Sequence, residues 1–144
     1  MLVACPHCNT TNRVPDERLR ERPAVSPICG RCSQPLFTGQ PLVLTRANFD
    51  VQIARGELPL IVDFWAPWCG PCLSMAPSFE RAAAELEPRL RLAKLDTEAE
   101  PAIAALHNIR SIPTLIAFKG GRELARQSGA LPLPALLKWL GRFG

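Results

Sequence analysis

Six cysteines fall into three Cys-x-x-Cys pairs, Cys5 with Cys8, Cys29 with Cys32, and Cys69 with Cys72. Thiols at this spacing can supply two metal ligands or can form and break a disulfide. The third pair, Cys69-Gly70-Pro71-Cys72, follows an apolar run and opens a segment with helical periodicity. A helix N-terminus offers partial positive charge and free N–H groups, both of which favour a thiolate, the attacking species in disulfide exchange. Cys69 is therefore expected to be the exposed nucleophile. Cys72, about one turn further in, is expected to be the shielded resolving thiol, within reach for a disulfide. The competing reading is half of a metal site, but zinc takes four ligands and no second pair or histidine lies near in sequence. His107, the single histidine after residue 40, reads as an ordinary surface or core residue.

Asp63 interrupts the apolar run that leads into this pair. Burying a carboxylate costs several kcal/mol unless it is paired or neutralised, so folds seldom keep one there for stability. A buried carboxyl of raised pKa could take the proton from Cys72 when that thiol must attack. The alternative is an edge Asp that faces solvent. Lys94, flanked by apolar residues on another predicted strand, could partner Asp63 across the sheet or could simply snorkel to the surface.

Cys5-x-x-Cys8 and Cys29-x-x-Cys32 are 20 residues apart, a spacing that reads as a four-thiolate zinc site built from two knuckles. Residues 9–28 are polar and Pro-containing, with no sustained apolar period, so this segment is not expected to pack a core of its own. One structural zinc ion would supply the missing folding energy, on the order of 10–16 kcal/mol. His7 is then a knuckle residue. Iron also accepts four thiolates, and zinc bound this way can be released on oxidation, which leaves a sensing role open. Cys5-Pro6-His7-Cys8 as a redox pair lacks both the preceding buried strand and the following amphipathic helix.

The elements that must position these groups begin near residue 40, after Pro35 and a Thr38-Gly39-Gln40-Pro41 linker. Strands are predicted at 41–45, 60–66, 90–96, 114–118 and 122–127, with 60–66 apolar enough to be buried on both faces. Gly120-Gly121 marks a two-residue hairpin. Helices are predicted at 48–55, at 71–87 with Met75, Phe79, Ala82 and Leu86 as its apolar stripe, at 101–106, and around Leu133, Leu137 and Leu140. Pro77 should kink the second of these. Strands alternating with helices and then a terminal hairpin imply an α/β fold, a mixed sheet of about five strands flanked by about four helices. A small N-terminal zinc-ribbon-like module covers 1–36, a linker 37–41, and the main domain 42–144.

The residues Val62-Asp63-Phe64-Trp65-Ala66-Pro67-Trp68-Cys69-Gly70-Pro71-Cys72 closely resemble the active-site segment of thioredoxins, and Ile109-Arg110-Ser111-Ile112-Pro113-Thr114 resembles their second signature. The extension with two further Cys-x-x-Cys pairs resembles the thioredoxin-2 type. The resemblance covers roughly 40–144 and implies a thioredoxin fold and a protein-disulfide reductase. It implies that Cys69 attacks, Cys72 resolves, and Asp63 and Lys94 tune the pair. Pro113 would be a cis-proline whose preceding residue, Ile112, pairs with substrate backbone. Trp68, Gly70, Pro71 and Gly129 would complete the docking surface, with Trp65 beneath it. An NADPH-dependent thioredoxin reductase would reset the dithiol, so no nucleotide is bound here, and no Gly-x-Gly-x-x-Gly is present.

The composition narrows the classes further. At 47% hydrophobic and 21% charged, the 144-residue chain is globular. A net charge of +4, scattered among acids, and the lack of aromatic residues in the first 36 argue against nucleic acid. No apolar stretch spans a membrane and no secretory signal is visible, so a cytoplasmic monomer is expected. Disulfide-bearing proteins are the expected substrates. A thioredoxin-like scaffold that only binds a partner is the rival class.

Overall fold

The computed structural model describes residues 1–20 and 26–144. Part of the polar stretch between the first two cysteine pairs thus lies outside the described residues.

The apolar run becomes β4 (Leu60–Trp65), a central strand covered on both faces. Its alternation sends Leu60, Val62 and Phe64 to one side and Ile61 to the other. Around it stand β3 (Leu42–Val43), β5 (Arg91–Asp96), β6 (Thr114–Lys119) and β7 (Arg122–Ser128), in the order β3-β5-β4-β6-β7. β3, β5 and β4 run parallel, and β6 and β7 complete the sheet antiparallel. The turn between β6 and β7 is Gly120-Gly121, both at positive φ (60° and 81°), as a primed hairpin turn demands.

On one face lie α3 (Gly70–Leu86) and α5 (Leu133–Leu140). Met75, Phe79, Ala82 and Leu86 of α3 are buried there against Ile61, Leu92 and Leu115. The helix continues through Pro77 to Leu86. On the other face lie α2 (Phe49–Ala54) and α4 (Pro101–Leu106), whose Phe49 and Ile103 pack with Val62, Phe64 and Ile116. The closing helix forms where the leucines place it. Leu136, Trp139 and Leu140 form its deepest positions, while Leu133 and Leu137 are only partly covered. A segment with leucine at four of eight positions has more than one apolar face.

The N-terminal module holds a short antiparallel pair, β1 (Leu2–Ala4) with β2 (Thr11–Arg13), one helical turn α1 (Glu17–Arg20), and a bridge between Ile28 and Pro35. Residues 9–28 contribute Val14 and Leu19 to a core that they share with the rest of the chain. Val3, Val14, Leu19 and Leu36 bury together with Cys5 and Cys29, closed by Leu58 and Phe37 from the following chain. These apolar residues are too widely spaced to show a period, yet knuckle geometry gathers them. The module sits beside the start of β4 and β5, where Glu57 N–H donates to Leu2 O at 2.9 Å.

Candidate functional site

β4 delivers the chain to Ala66-Pro67-Trp68, and Cys69 then caps α3. Cys69 has extended geometry (φ −83°, ψ 110°), and its Sγ accepts the Cys72 N–H at 3.2 Å. Pro71 occupies the first helical turn, where a missing N–H is harmless. Cys69 and Cys72 form a disulfide with Cα atoms 5.2 Å apart.

The expected contrast between an exposed and a shielded cysteine is not found in burial. Cys69 is 4% exposed and Cys72 2%. Ala66, Trp65 and Ile112 pack around both, and Cys69 Sγ lies 3.7 Å from Ile112 O. What distinguishes the two thiols is their place on α3, since Cys69 stands outside the first turn and Cys72 within it.

Ile112 and Pro113 approach from the loop before β6, joined by a cis peptide bond. Thr114 Oγ1 donates to Ser111 O at 2.6 Å, and Gly129 N–H donates to Pro113 O at 2.8 Å, which fixes this loop against β7. Gly129 has φ +93°, a conformation that disfavours any residue with a Cβ. Trp68 is 67% exposed beside the disulfide. The structure thus sets Ile112 against the two sulfurs, with Pro113 next to it and Gly129 bonded to Pro113, while Trp68, Gly70 and Pro71 adjoin the cysteines in the chain.

Asp63 is 5% exposed, and among the described residues its Oδ1 has no hydrogen-bond partner. It shares with Cys72 a cavity of about 180 Å³, lined also by Trp65, Leu73, Phe79 and Lys94. Burial pushes its pKa up to about 7, against a smaller downward pull from the Lys94 charge. Lys94 lies in register with Asp63 on the neighbouring strand. Its Nζ stands 5.6 Å over the Trp65 ring, and among the described residues it makes no ion pair with Asp63, so it acts through its field. His107 packs its ring on Phe49, Phe118 and Phe64, as an ordinary core-lining aromatic would.

The other four cysteines converge. Their Sγ atoms all lie within 4.8 Å of one another, with Cys5 to Cys32 at 3.6 Å and Cys8 to Cys29 at 3.7 Å. Zinc–sulfur bonds of about 2.3 Å in a tetrahedron place sulfurs about 3.8 Å apart, so the cluster fits that ion. Donors already face the sulfurs. The N–H of Cys32, the Asn12 amide and the Arg31 N–H lower the Cys29 thiol to about 6, while burial pushes Cys5 up to about 12. A dication would offset what burial opposes at Cys5.

Three buried polar residues near this cluster have no counterpart among the expected site residues. They are Gln52, Glu87 and Arg91. Glu87 accepts the Gly39 N–H at 2.9 Å, and burial raises its carboxyl to about 7 despite the nearby Arg91. Gln52 was legible in principle, since it stands at i+3 from Phe49 on the apolar face of α2.

Comparison with known proteins follows the same division. The thioredoxin profile matches residues 40–142, and a profile described as Thioredoxin 2, N-terminal matches residues 4–34. Thioredoxin C-3 of Corynebacterium nephridii is 45% identical over 140 residues, covering 97% of this chain and 93% of that protein. The thioredoxin of Pyropia yezoensis is 41% identical over 100 residues, 69% of this chain and 94% of its own. The M-type chloroplastic thioredoxin of Chlamydomonas reinhardtii is 34% identical over 130 residues, 90% and 92% respectively.

Proposed function

The chain belongs to the thioredoxin family and is a thioredoxin-type disulfide oxidoreductase, and on that premise we propose how its residues divide the work. The observation that carries the reading is the Cys69–Cys72 disulfide on the N-terminus of α3, above a cavity that holds an unpartnered carboxyl.

In the reduced protein, the Cys69 thiolate attacks a substrate disulfide and displaces one substrate thiolate. Cys72 then gives its proton to the Asp63 carboxylate and attacks Cys69 Sγ. The second substrate thiolate leaves, and two electrons have passed from the chain to the substrate. A carboxyl with a pKa of about 7 suits this exchange, because it can hold or release a proton near neutral pH. Lys94 tunes that carboxyl through its charge. Trp68, Gly70, Pro71, Ile112, Pro113 and Gly129 form the face on which a disulfide-bearing protein docks. Ile112 offers a backbone carbonyl beside the sulfurs. An NADPH-dependent thioredoxin reductase restores the dithiol.

Residues 1–36 form the zinc module, 37–41 the linker and 42–144 the catalytic domain, a division the two profile matches support. Cys5, Cys8, Cys29 and Cys32 hold one zinc ion with a structural role. The chain works in the cytoplasm as a monomer, where thiols stay reduced. Among the described residues, no helix is long and apolar enough to cross a membrane. Oxidation of the four ligands would release the ion, which gives the module a sensing role. Peroxide that oxidises the dithiol and frees no zinc at any dose sparing the fold removes that role.

The test is NADPH consumption with a thioredoxin reductase and insulin. Turnover should require both Cys69 and Cys72, and full activity in Cys69→Ser refutes the assignment. Metal analysis with thiol titration of the reduced protein should find one zinc, two reactive thiols and four protected ones.

A further inference from the structure

The two knuckles are near copies of one another. In the first, Asn9 N–H donates to Cys5 O at 3.0 Å, Cys5 N–H to Thr10 O at 2.8 Å, and His7 N–H to Cys5 Sγ at 3.4 Å. In the second, Ser33 N–H donates to Cys29 O at 3.0 Å, Cys29 N–H to Gln34 O at 2.9 Å, and Arg31 N–H to Cys29 Sγ at 3.4 Å. Asn9 and Ser33 both adopt positive φ, 63° and 62°.

They differ in what surrounds them. The module itself supports the second knuckle, where Asn12 gives its amide to Cys29 Sγ at 3.4 Å and receives the Gly30 N–H at 2.9 Å. The first knuckle is supported from the catalytic domain. Gln52, on α2 and 6% exposed, donates from Nε2 to Cys5 O and to Asn9 Oδ1, both at 2.9 Å. Arg91, the first residue of β5 and 5% exposed, donates from Nη1 to Ala4 O at 2.6 Å and from Nη2 to Leu36 O. Its guanidinium also lies over the Phe37 ring at 5.0 Å. The dithiol site uses neither residue.

We propose that Gln52 and Arg91 are positioning residues of the metal centre, so that the catalytic domain completes the outer shell of the first knuckle and zinc affinity depends on the docking of the module. The inference rests on the zinc reading above. An ion held by four thiolates carries a net charge of 2−, and a buried guanidinium one residue from a ligand offsets part of it. Gln52 fixes both ends of the Cys5–Asn9 turn at once, which sets the direction of the Cys5 and Cys8 sulfurs. Partners of this kind normally change metal affinity 10- to 100-fold when removed.

The experiment uses the full chain and its Gln52→Leu, Arg91→Met and Arg91→Lys variants. Zinc affinity is measured by competition with a chromophoric chelator, and the ligand field by the d–d bands of the cobalt-substituted protein. Near-UV circular dichroism of Trp65, Trp68 and Trp139 reports whether the catalytic domain is folded. Gln52→Leu and Arg91→Met should each bind zinc about 10- to 100-fold more weakly. Arg91→Lys, which keeps the charge but only one of the two carbonyl contacts, should fall between Arg91→Met and the parent. Altered cobalt bands in a folded variant mark a repositioned knuckle, which destabilisation alone does not produce. Zinc affinity in both neutral variants within about twofold of the parent overturns the proposal. If Arg91→Met does not fold, Gln52→Leu decides the matter alone. A parent protein that binds no zinc overturns the zinc reading, and this inference with it.

Discussion

Replacing Asp63 with Asn should change the pH dependence of folding. Asp63 is buried with an unpartnered oxygen, and its pKa rises from 3.8 to about 7, first through burial and against the opposing Lys94 charge. A raised carboxyl pKa means that the folded protein binds the proton more tightly than the unfolded chain does. Between about pH 4 and pH 7 the unfolded chain therefore carries fewer protons, and stability falls as pH rises through that window. The shift of about three units, at 1.36 kcal/mol each, gives a loss of roughly 4 kcal/mol that is complete by about pH 8. Asn cannot ionise, so it removes this loss at every pH. Urea unfolding with the Cys69–Cys72 disulfide kept intact measures it. Glu87 is also buried, with a pKa raised to about 7, and titrates in the same window in both proteins. The difference between parent and Asp63→Asn isolates Asp63. That difference should move in favour of the variant by roughly 4 kcal/mol from pH 4 to pH 8. Curves that run parallel across this range would refute the claim that Asp63 is buried and ionises in the folded protein.

Other expectations test other parts of the site. Gly129→Ala should lower stability by about 1–2 kcal/mol through its φ of +93°, since no atom lies within 4 Å of the added Cβ; an unchanged melting temperature would show that the backbone there adapts freely. Cys72→Ser should accumulate a mixed disulfide between Cys69 and substrate, visible on a non-reducing gel, whereas steady turnover by this variant would remove Cys72 from the resolving step. Strong chelation should forfeit on the order of 10–16 kcal/mol of module folding energy and raise the thiols reactive in the reduced protein from two to six; a count that stays at two would mean that burial alone protects the four cysteines.

What could be read from the sequence was local. The apolar run that became β4, the stripe from Met75 to Leu86, and the Gly120-Gly121 turn each announce themselves within a few residues, and each element formed where its pattern lay. The cysteine pairs were legible for a similar reason, because two-residue spacing dictates what a knuckle or a helix cap can do. The partners of Gln52 and Arg91 were not, because they lie 47 and 87 residues away. A signal for the two residues themselves was nonetheless present. Arg91 stands on the same buried strand as Lys94, so the argument that questioned Lys94 applied equally to it. The exposure expected of Cys69 failed because burial there comes from Ile112, brought over from a loop 43 residues distant.

The placement of the module explains how one small chain can use cysteine in two ways. Arg91 and Leu60 pair at the start of β5 and β4, beside the four-cysteine cluster, while Trp65 and Asp96 pair at the far end, beside the dithiol. Five steps of strand at about 3.3 Å put roughly 16 Å between those ends. Disulfide exchange needs sulfur in contact with sulfur, so Cys69 cannot attack a ligand thiol of its own docked module. Any influence of the module on the reaction must travel through bonded structure instead. Two routes exist. One is β5, which carries Arg91 at the module and Lys94 at the Asp63 cavity. The other is the linker, whose Gly39 is held by Glu87 and whose Pro41 lines that same cavity. Both of these routes end at Asp63, while β4 runs on from Leu60 toward Cys69. Through the first two, a disturbed module should alter the proposed resolving step, in which Cys72 gives up its proton.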